Sequence, residues 1–374
     1  MAAQGTRPAV DYRGEATVMA RMTQRTTRAL AAAATSMALL FGAAACTTPS
    51  PEPTPTGPTA TPTPTRPPIP YVARPSGLIW DSGSNGHDDQ QNAAFAHMRG
   101  RPLDVLGVAP TRDSWDQLLD DWWLSGDTIP ANFKGTLNVA VPLFPKDGSM
   151  GAAARGDYDE QWQILGRMIA KRYPTAYVRP GWEMNIHNWD WSANPDNVEQ
   201  FKEAFRRASV ALKKAGPKLR IVWNVNEGKG DSLPDATMAW PGDQYVDIVG
   251  MDAYDWHPPY DEKGWEEHRT KNQGWDFWGN FARQKGKKFA FPEWGVIAGN
   301  ENSGGDNPKF INYAYTWMEQ NADIMAFETY FDEKADYCKC ALSVNPASRA
   351  AYQQWMKKLV YPADQRTASS QPTS

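Results

Sequence analysis

Between Leu78 and Leu359, short apolar runs alternate with amphipathic stretches, and this alternation constrains the fold more than any other feature. The runs are Leu78–Trp80, Val105–Ala109, Thr136–Pro142, Ala176–Arg179, Leu219–Asn224, Val246–Met251, Lys288–Phe291 and Ile324–Thr329. Each is close to continuously apolar, as expected of parallel strands covered on both faces. The stretches between them carry apolar residues at spacings of three and four. After Asn194 these are Val198, Phe201, Phe205, Ala208 and Leu212; around Tyr158–Arg172 they are Trp162, Leu165, Ile169 and Tyr173. Such stripes predict helices with one buried face. Asn194-Pro195, Asn307-Pro308 and Asn345-Pro346 predict helix starts, Asn as cap and Pro in the first turn, and Gly216 predicts a helix stop.

Strand and helix in strict alternation imply a parallel sheet with right-handed crossovers. Eight such units within residues 73–362 match the size of one closed α/β barrel. The expected fold is therefore a single-domain (β/α)8 TIM barrel. The first strand is not followed by Gly-x-Gly-x-x-Gly, which argues against a dinucleotide-binding open sheet.

The flanks read differently. Arg21, Arg25 and Arg28 precede an apolar run, Leu30 to Ala45, that ends at Cys46. The run is shorter than the ~20 residues needed to span a bilayer and has the layout of a signal peptide. Small residues directly before Cys46 resemble a lipobox, so residues 1–46 are expected to be a lipoprotein signal peptide with Cys46 lipidated; an ordinary cleaved signal is the other reading. Residues 47–72 are rich in Pro and Thr and predict an extended tether. Residues 363–374 predict a frayed tail. The expected location is the extracellular face of the cell membrane, or outside the cell.

The formal net charge is -4, and the domain carries no basic run, so nucleic acid is not an expected partner. Cys338 and Cys340 form either a tight disulfide or two thiols. The His are scattered, so neither a metal nor another cofactor is expected.

In a (β/α)8 barrel the chemistry sits at the C-terminal ends of the strands. Here those ends read Trp182-Glu183-Met184-Asn185, Asn224-Val225-Asn226-Glu227, Asp252-Ala253-Tyr254-Asp255, Glu293-Trp294 and Glu328-Thr329-Tyr330. The two-residue alternation groups Arg179, Gly181 and Glu183 on one side of the fourth strand, and Gly250, Asp252 and Tyr254 on one side of the sixth. On the seventh it groups Phe289 and Phe291 with Glu293, which fits poorly with a crowded interior. Glu183 and Glu293 would face one another across the barrel mouth. Two carboxyls ~5–5.5 Å apart are what glycoside cleavage with retained configuration requires. Trp189 and Trp191 offer planes for the apolar faces of sugar rings, whereas Trp162, Trp317 and Trp355 read as core.

Arg179-Pro-Gly-Trp-Glu-Met-Asn185, followed by Trp189 and Trp191, resembles the acid/base segment of glycoside hydrolase family 26. Val222 to Asn226, Tyr245 to Tyr254 and Pro292 to Gly295 are similar to its fifth-, sixth- and seventh-strand segments. The resemblance implies that Glu183 is the acid/base, that Glu293 is the nucleophile and that Tyr254 supports the latter. It implies a retaining endo-β-glycosidase acting by double displacement on β-mannan, mixed-linkage β-glucan or xylan. Family members commonly carry His where Trp182 stands, and often Gly after the Met-Asn pair, where Ile186-His187-Asn188 intervene. Expected substrate contacts are Arg179, Trp182, Asn185, Trp189, Trp191, Asn226, Asp252, Tyr254, Trp294 and Glu328. The expected partners are a polysaccharide or oligosaccharide and, through the lipid anchor, a membrane. The alternative is a non-catalytic cell-surface glycan-binding lipoprotein on the same barrel; the presence of both Glu speaks against it.

Overall fold

A computed structural model describes residues 71–361 except His87, Asn300 and Asp336. Cys46, the signal segment, most of the tether and the tail lie outside the described residues.

Eight parallel strands close into a barrel in chain order. They are β1 (Asp81–Asn85), β2 (Val105–Val108), β3 (Thr136–Val141), β4 (Tyr177–Pro180), β5 (Arg220–Asn226), β6 (Ile248–Tyr254), β7 (Lys288–Gly295) and β8 (Met325–Phe331). β1 closes the ring by pairing Asp81–Asn85 with Phe327–Phe331. The fold is a single-domain (β/α)8 barrel, as the alternation implied.

The lower interior is filled from the inward phase of the strands by Val105, Tyr177, Val222, Ile248, Ala290 and Phe327. The outward phase, including Leu106, Val178, Trp223 and Val249, packs against the helices in one large core. The stripe Val198, Phe201, Phe205, Ala208 and Leu212 lies buried on the helix Val198–Ala215. Trp162, Trp317 and Trp355 are buried, as read. The alternation is imperfect after β5, where the described residues form two 3-10 turns, Ala236–Ala239 and Asp243–Tyr245, in place of a helix.

The structure moves some boundaries. The run Leu78–Trp80 is not the first strand: Leu78 makes an isolated antiparallel bridge to Val360, and β1 begins at Asp81. β1 is Asp-Ser-Gly-Ser-Asn, invisible to a search for apolar runs. Its outward serines bond to polar partners, Ser82 to Glu328 and Ser84 to Asn92 at 2.8 Å. Gly83 sits where an added Cβ would come 1.6 Å from the Val105 carbonyl oxygen. Asn194-Pro195 lies one turn ahead of its helix: Asn197 is the cap residue, while Asn194 Oδ1 accepts from the Asp196 and Asn197 N–H groups at 2.9 and 3.1 Å. Asn307 caps Pro308–Gln320 as expected, and Pro346–Lys358 starts at the third Asn-Pro pair.

The consequential irregularity is in β7. From Gly250 to Ala253 on β6 the chain advances three residues, while its partners on β7 run from Ala290 to Trp294, four residues. Against β8, Phe291 to Trp294 spans three steps where Glu328 to Tyr330 spans two. β7 therefore carries one extra residue at Pro292–Glu293, a bulge, and a bulge reverses which face each later side chain meets. Below it, Phe289 and Phe291 pack outward on Trp317, with Phe291 also against Trp275. Above it, Glu293 turns inward. The clash between crowded Phe residues and an inward Glu, which simple alternation implied, does not arise.

Candidate active site

Glu183 owes its position to a turn rather than to strand alternation. β4 stops at Pro180, and Gly181 and Glu183 both adopt left-handed backbone, with φ of 60° and 50°. That conformation is strained for Glu, by ~1–3 kcal/mol, and such strain concentrates at functional sites. The Glu183 N–H donates to the Asn224 carbonyl at 3.0 Å, tying the turn to β5.

Glu183 is buried, 8 % exposed. Asn226 Nδ2 donates to its Oε1 at 2.8 Å and Trp189 Nε1 to its Oε2 at 3.2 Å. Burial and then the charge of Glu293 push its pKa up to about 7, against the pull of those two hydrogen bonds and Arg179. The two carboxyls therefore act on one another electrostatically.

Glu293 is held by a different pair of donors. Arg179 Nη2 donates to its Oε1 at 2.7 Å, and the Tyr254 hydroxyl donates to its Oε2 at 3.0 Å. The same guanidinium donates to Asn224 Oδ1 at 2.7 Å and reaches Asp252 Oδ2 at 3.2 Å. Asp252 is 0 % exposed. Burial and the Glu293 charge raise its carboxyl well above the usual range, outweighing Arg179. One guanidinium is shared between two acids and lies closer to Glu293 than to Asp252, so it offsets less of the cost of burying Asp252.

Arg179, Trp182 and Glu293 line one cleft with Asn85, Trp122, Phe331 and Glu333. The last four escaped the sequence reading because they come from β1, the β2 loop and the end of β8. The signal for Asn85 was present: Asp81, Gly83 and Asn85 share a period of two, within a strand too polar to be recognised as one.

Several expected substrate contacts have other jobs. Asn185 is buried and staples two segments together: its Nδ2 donates to the Asn226 carbonyl at 2.9 Å, and its Oδ1 accepts from the Asn226 N–H at 2.8 Å. It thereby sets the residue that bonds Glu183. Trp191 is buried behind the cleft, stacked on Trp189 at 5.1 Å and donating to the Trp182 carbonyl at 2.8 Å. Trp294 and Glu328 are both 0 % exposed and face the helices, not the cleft. The bulge turns Trp294 outward, and its Nε1 donates to Glu328 Oε2 at 2.7 Å. Glu328 lies on the outward phase of β8, where Ser82 and Tyr315 also donate to it. His187 is exposed and paired with Asp231 at 3.0 Å. Cys338 and Cys340 are joined as a disulfide. Among the described residues no group of three His, Cys, Asp or Glu side chains could hold a metal ion.

The Asn226 hydrogen bond lowers the Glu183 pKa, so its loss has a definite sign. Asn226→Ala is expected to move the basic limb of the pH–rate profile to higher pH. Turnover should fall roughly tenfold through loss of orientation. A basic limb that stays put, or moves down, would refute the assignment of Asn226.

Residues 156–287 match the family model of Glycosyl hydrolase family 26. The match contains β4, β5 and β6, hence Glu183, and stops at the residue before β7, which carries Glu293. A curated relative, the mannan endo-1,4-β-mannosidase of Bifidobacterium adolescentis, is 24 % identical over 276 residues. That stretch is 68 % of this chain but 26 % of the relative, so the chain spans about a quarter of its length. Among solved structures, a modular endo-β-1,4-mannanase from Cellulomonas fimi superposes with a TM-score of 0.54 at 15 % identity, covering 76 % of this chain and 75 % of that one. The catalytic domain of a Bacillus sp. JAMB-750 endo-β-1,4-mannanase gives 0.51 at 15 % identity, covering 70 % and 78 %. At such identities the solved structures speak for the barrel alone. The family model and the curated relative together support glycoside hydrolase family 26.

Proposed function

We propose that this chain is a family 26 glycosidase that cleaves internal β-linkages of a polysaccharide with retention of configuration, β-1,4-mannan being the favoured substrate class. One observation carries the reading: Glu183 is buried and bonded by an amide and an indole, while a guanidinium and a phenol grip Glu293, whose charge helps to bias Glu183 toward its acid form. A carboxyl kept in its acid form beside a second one held by cationic and phenolic donors suits the first to proton donation and the second to attack.

In the first step Glu293 attacks the anomeric carbon while Glu183 delivers its proton to the departing glycosidic oxygen. Arg179 and Tyr254 each hold one Glu293 oxygen, which fixes the carboxylate plane for attack. In the second step Glu183, now a base, takes a proton from water, and that water releases the sugar from Glu293. The exposed parts of Trp122 and Phe331 and the Trp182 edge give the cleft aromatic walls for sugar faces. Mannan is favoured by what the curated relative is named for; mixed-linkage glucan and xylan are the other candidates.

The test is to incubate purified protein with β-mannan, mixed-linkage β-glucan, xylan and actinobacterial cell-envelope glycans, reading new reducing ends by assay and the first-formed anomer by NMR. New reducing ends with a β first product are expected. Binding without any release of reducing ends would favour the glycan-binding alternative. We further propose, from the sequence alone, attachment at the outer membrane face through a lipidated Cys46. Cys46→Ala should then move the protein from the membrane fraction to the medium.

A further inference from the structure

The carbonyl oxygen of Pro292, the residue before Glu293, is turned by the bulge toward side chains of three other strands. Asn138 Nδ2 on β3 donates to it at 2.9 Å, Asn85 Nδ2 on β1 at 3.1 Å, and the Thr329 hydroxyl on β8 donates as well. Asn138 Nδ2 also meets Thr329 Oγ1 at 3.1 Å, which links the donors to one another. We propose that Asn138, Thr329 and Asn85 are positioning residues that orient Glu293 through this carbonyl, with Thr329 and Asn138 carrying most of the effect. The inference rests on the reading of Glu293 as nucleophile.

A peptide unit is planar, so an oxygen held on one side fixes the N–H and Cα on the other. Holding the Pro292 oxygen therefore fixes the point from which the Glu293 side chain departs. The outer side is held too, because Trp294 is tied to Glu328. Glu293 is thus gripped between an inner cage and an outer anchor, on a segment that has left the regular ladder. Room for the cage is built in. A Cβ at Gly250 would come 2.8 Å from Pro292 Cγ, and one at Gly107 would come 1.1 Å from Asn85 Oδ1. Asn138 and Asn85 turn their nitrogens to the carbonyl and leave their own Oδ1 atoms buried without a hydrogen-bond partner among the described residues. Buried acceptors in that state destabilise a fold.

The test is the rate at which Glu293 is trapped by 2,4-dinitrophenyl 2-deoxy-2-fluoro-β-mannobioside, whose leaving group needs no proton from Glu183. Thr329→Val removes only the hydroxyl, Thr329→Ser restores it, and Thr329→Val with Asn138→Leu removes two donors. We expect wild type and Thr329→Ser to be labelled on Glu293 at similar rates. Thr329→Val should react roughly tenfold slower and the double variant roughly a hundredfold slower, as sub-ångström misplacement produces. The inactivator's dissociation constant and the basic limb of the pH profile for polysaccharide cleavage should stay unchanged, which a merely structural defect affecting the whole site would not allow. Misfolded molecules lower the amplitude of labelling and not its first-order rate, so partial unfolding does not mask the result. Wild-type labelling at Glu293 with Thr329→Val equally fast would overturn this inference alone. Wild-type labelling at a residue other than Glu293 would overturn the nucleophile assignment and this inference with it.

Discussion

Glu293→Ala is expected to lower turnover by roughly ten-thousandfold or more, about 5.4 kcal/mol of lost transition-state stabilisation. The variant retains Glu183 and the cleft walls but offers no group to form the glycosyl intermediate. Azide or formate fits the vacated space beside Arg179 and Tyr254, the two donors that ordinarily hold the carboxylate. Added azide should therefore restore turnover of an activated aryl glycoside and yield the α-glycosyl azide. Turnover of Glu293→Ala near the wild-type rate would remove Glu293 from the mechanism.

Glu183→Gln is expected to lose roughly a hundred- to ten-thousandfold on polysaccharide, the usual worth of positioned proton transfer. On a 2,4-dinitrophenyl glycoside the first step needs no acid, so a burst of dinitrophenol followed by slow release is expected. Loss of activity in step with the wild type on both substrates would refute the assignment. The pH dependence has a clear sign. The wild-type Glu183 pKa is raised to about 7, so the acid form predominates below that pH. Turnover limited by the first step should fall as pH rises through about 7, and the Gln variant should lack that limb. Once Glu293 is esterified its charge is gone, and with it the second largest contribution raising Glu183. The Glu183 pKa then drops, which delivers the base when the second step needs it.

The fold was legible because barrel strands are covered on both faces and so announce themselves as apolar runs. β1 was not, because its outward side chains meet polar partners and its inward positions are Asp81, Gly83 and Asn85. Glu183 and Glu293 were legible because each stands where an apolar run gives way to polar residues beside a Trp. Arg179 was legible from its side of strand four and Tyr254 from the family resemblance, whereas Asn226, expected as a substrate contact, bonds Glu183 instead. Trp294 and Glu328 were misread for one reason: their direction depends on a residue inserted in β7, and counting by twos fails past an insertion. Asn185 and Trp191 were misread because a polar amide or an indole near an acid resembles a ligand contact, while both support the loop from behind. The cage around Pro292 had no local signature, since its donors lie on three strands far apart in sequence.

The sharing of Arg179 among its neighbours bears on which polymers the cleft can accept. Asp252 and Glu293 share a single guanidinium, the charge of Glu183 acts on it as well, and Glu333 lines the same cleft. Among the described residues lining this cleft the only cation is Arg179, and it is already engaged by Glu293 and Asp252. Beside these carboxyls a negative substituent next to the scissile bond would be repelled, and would also make Glu183 harder to deprotonate. Electroneutral hexose or pentose backbones suit this arrangement, and heavily ionised glycans are disfavoured by electrostatics before shape is consulted.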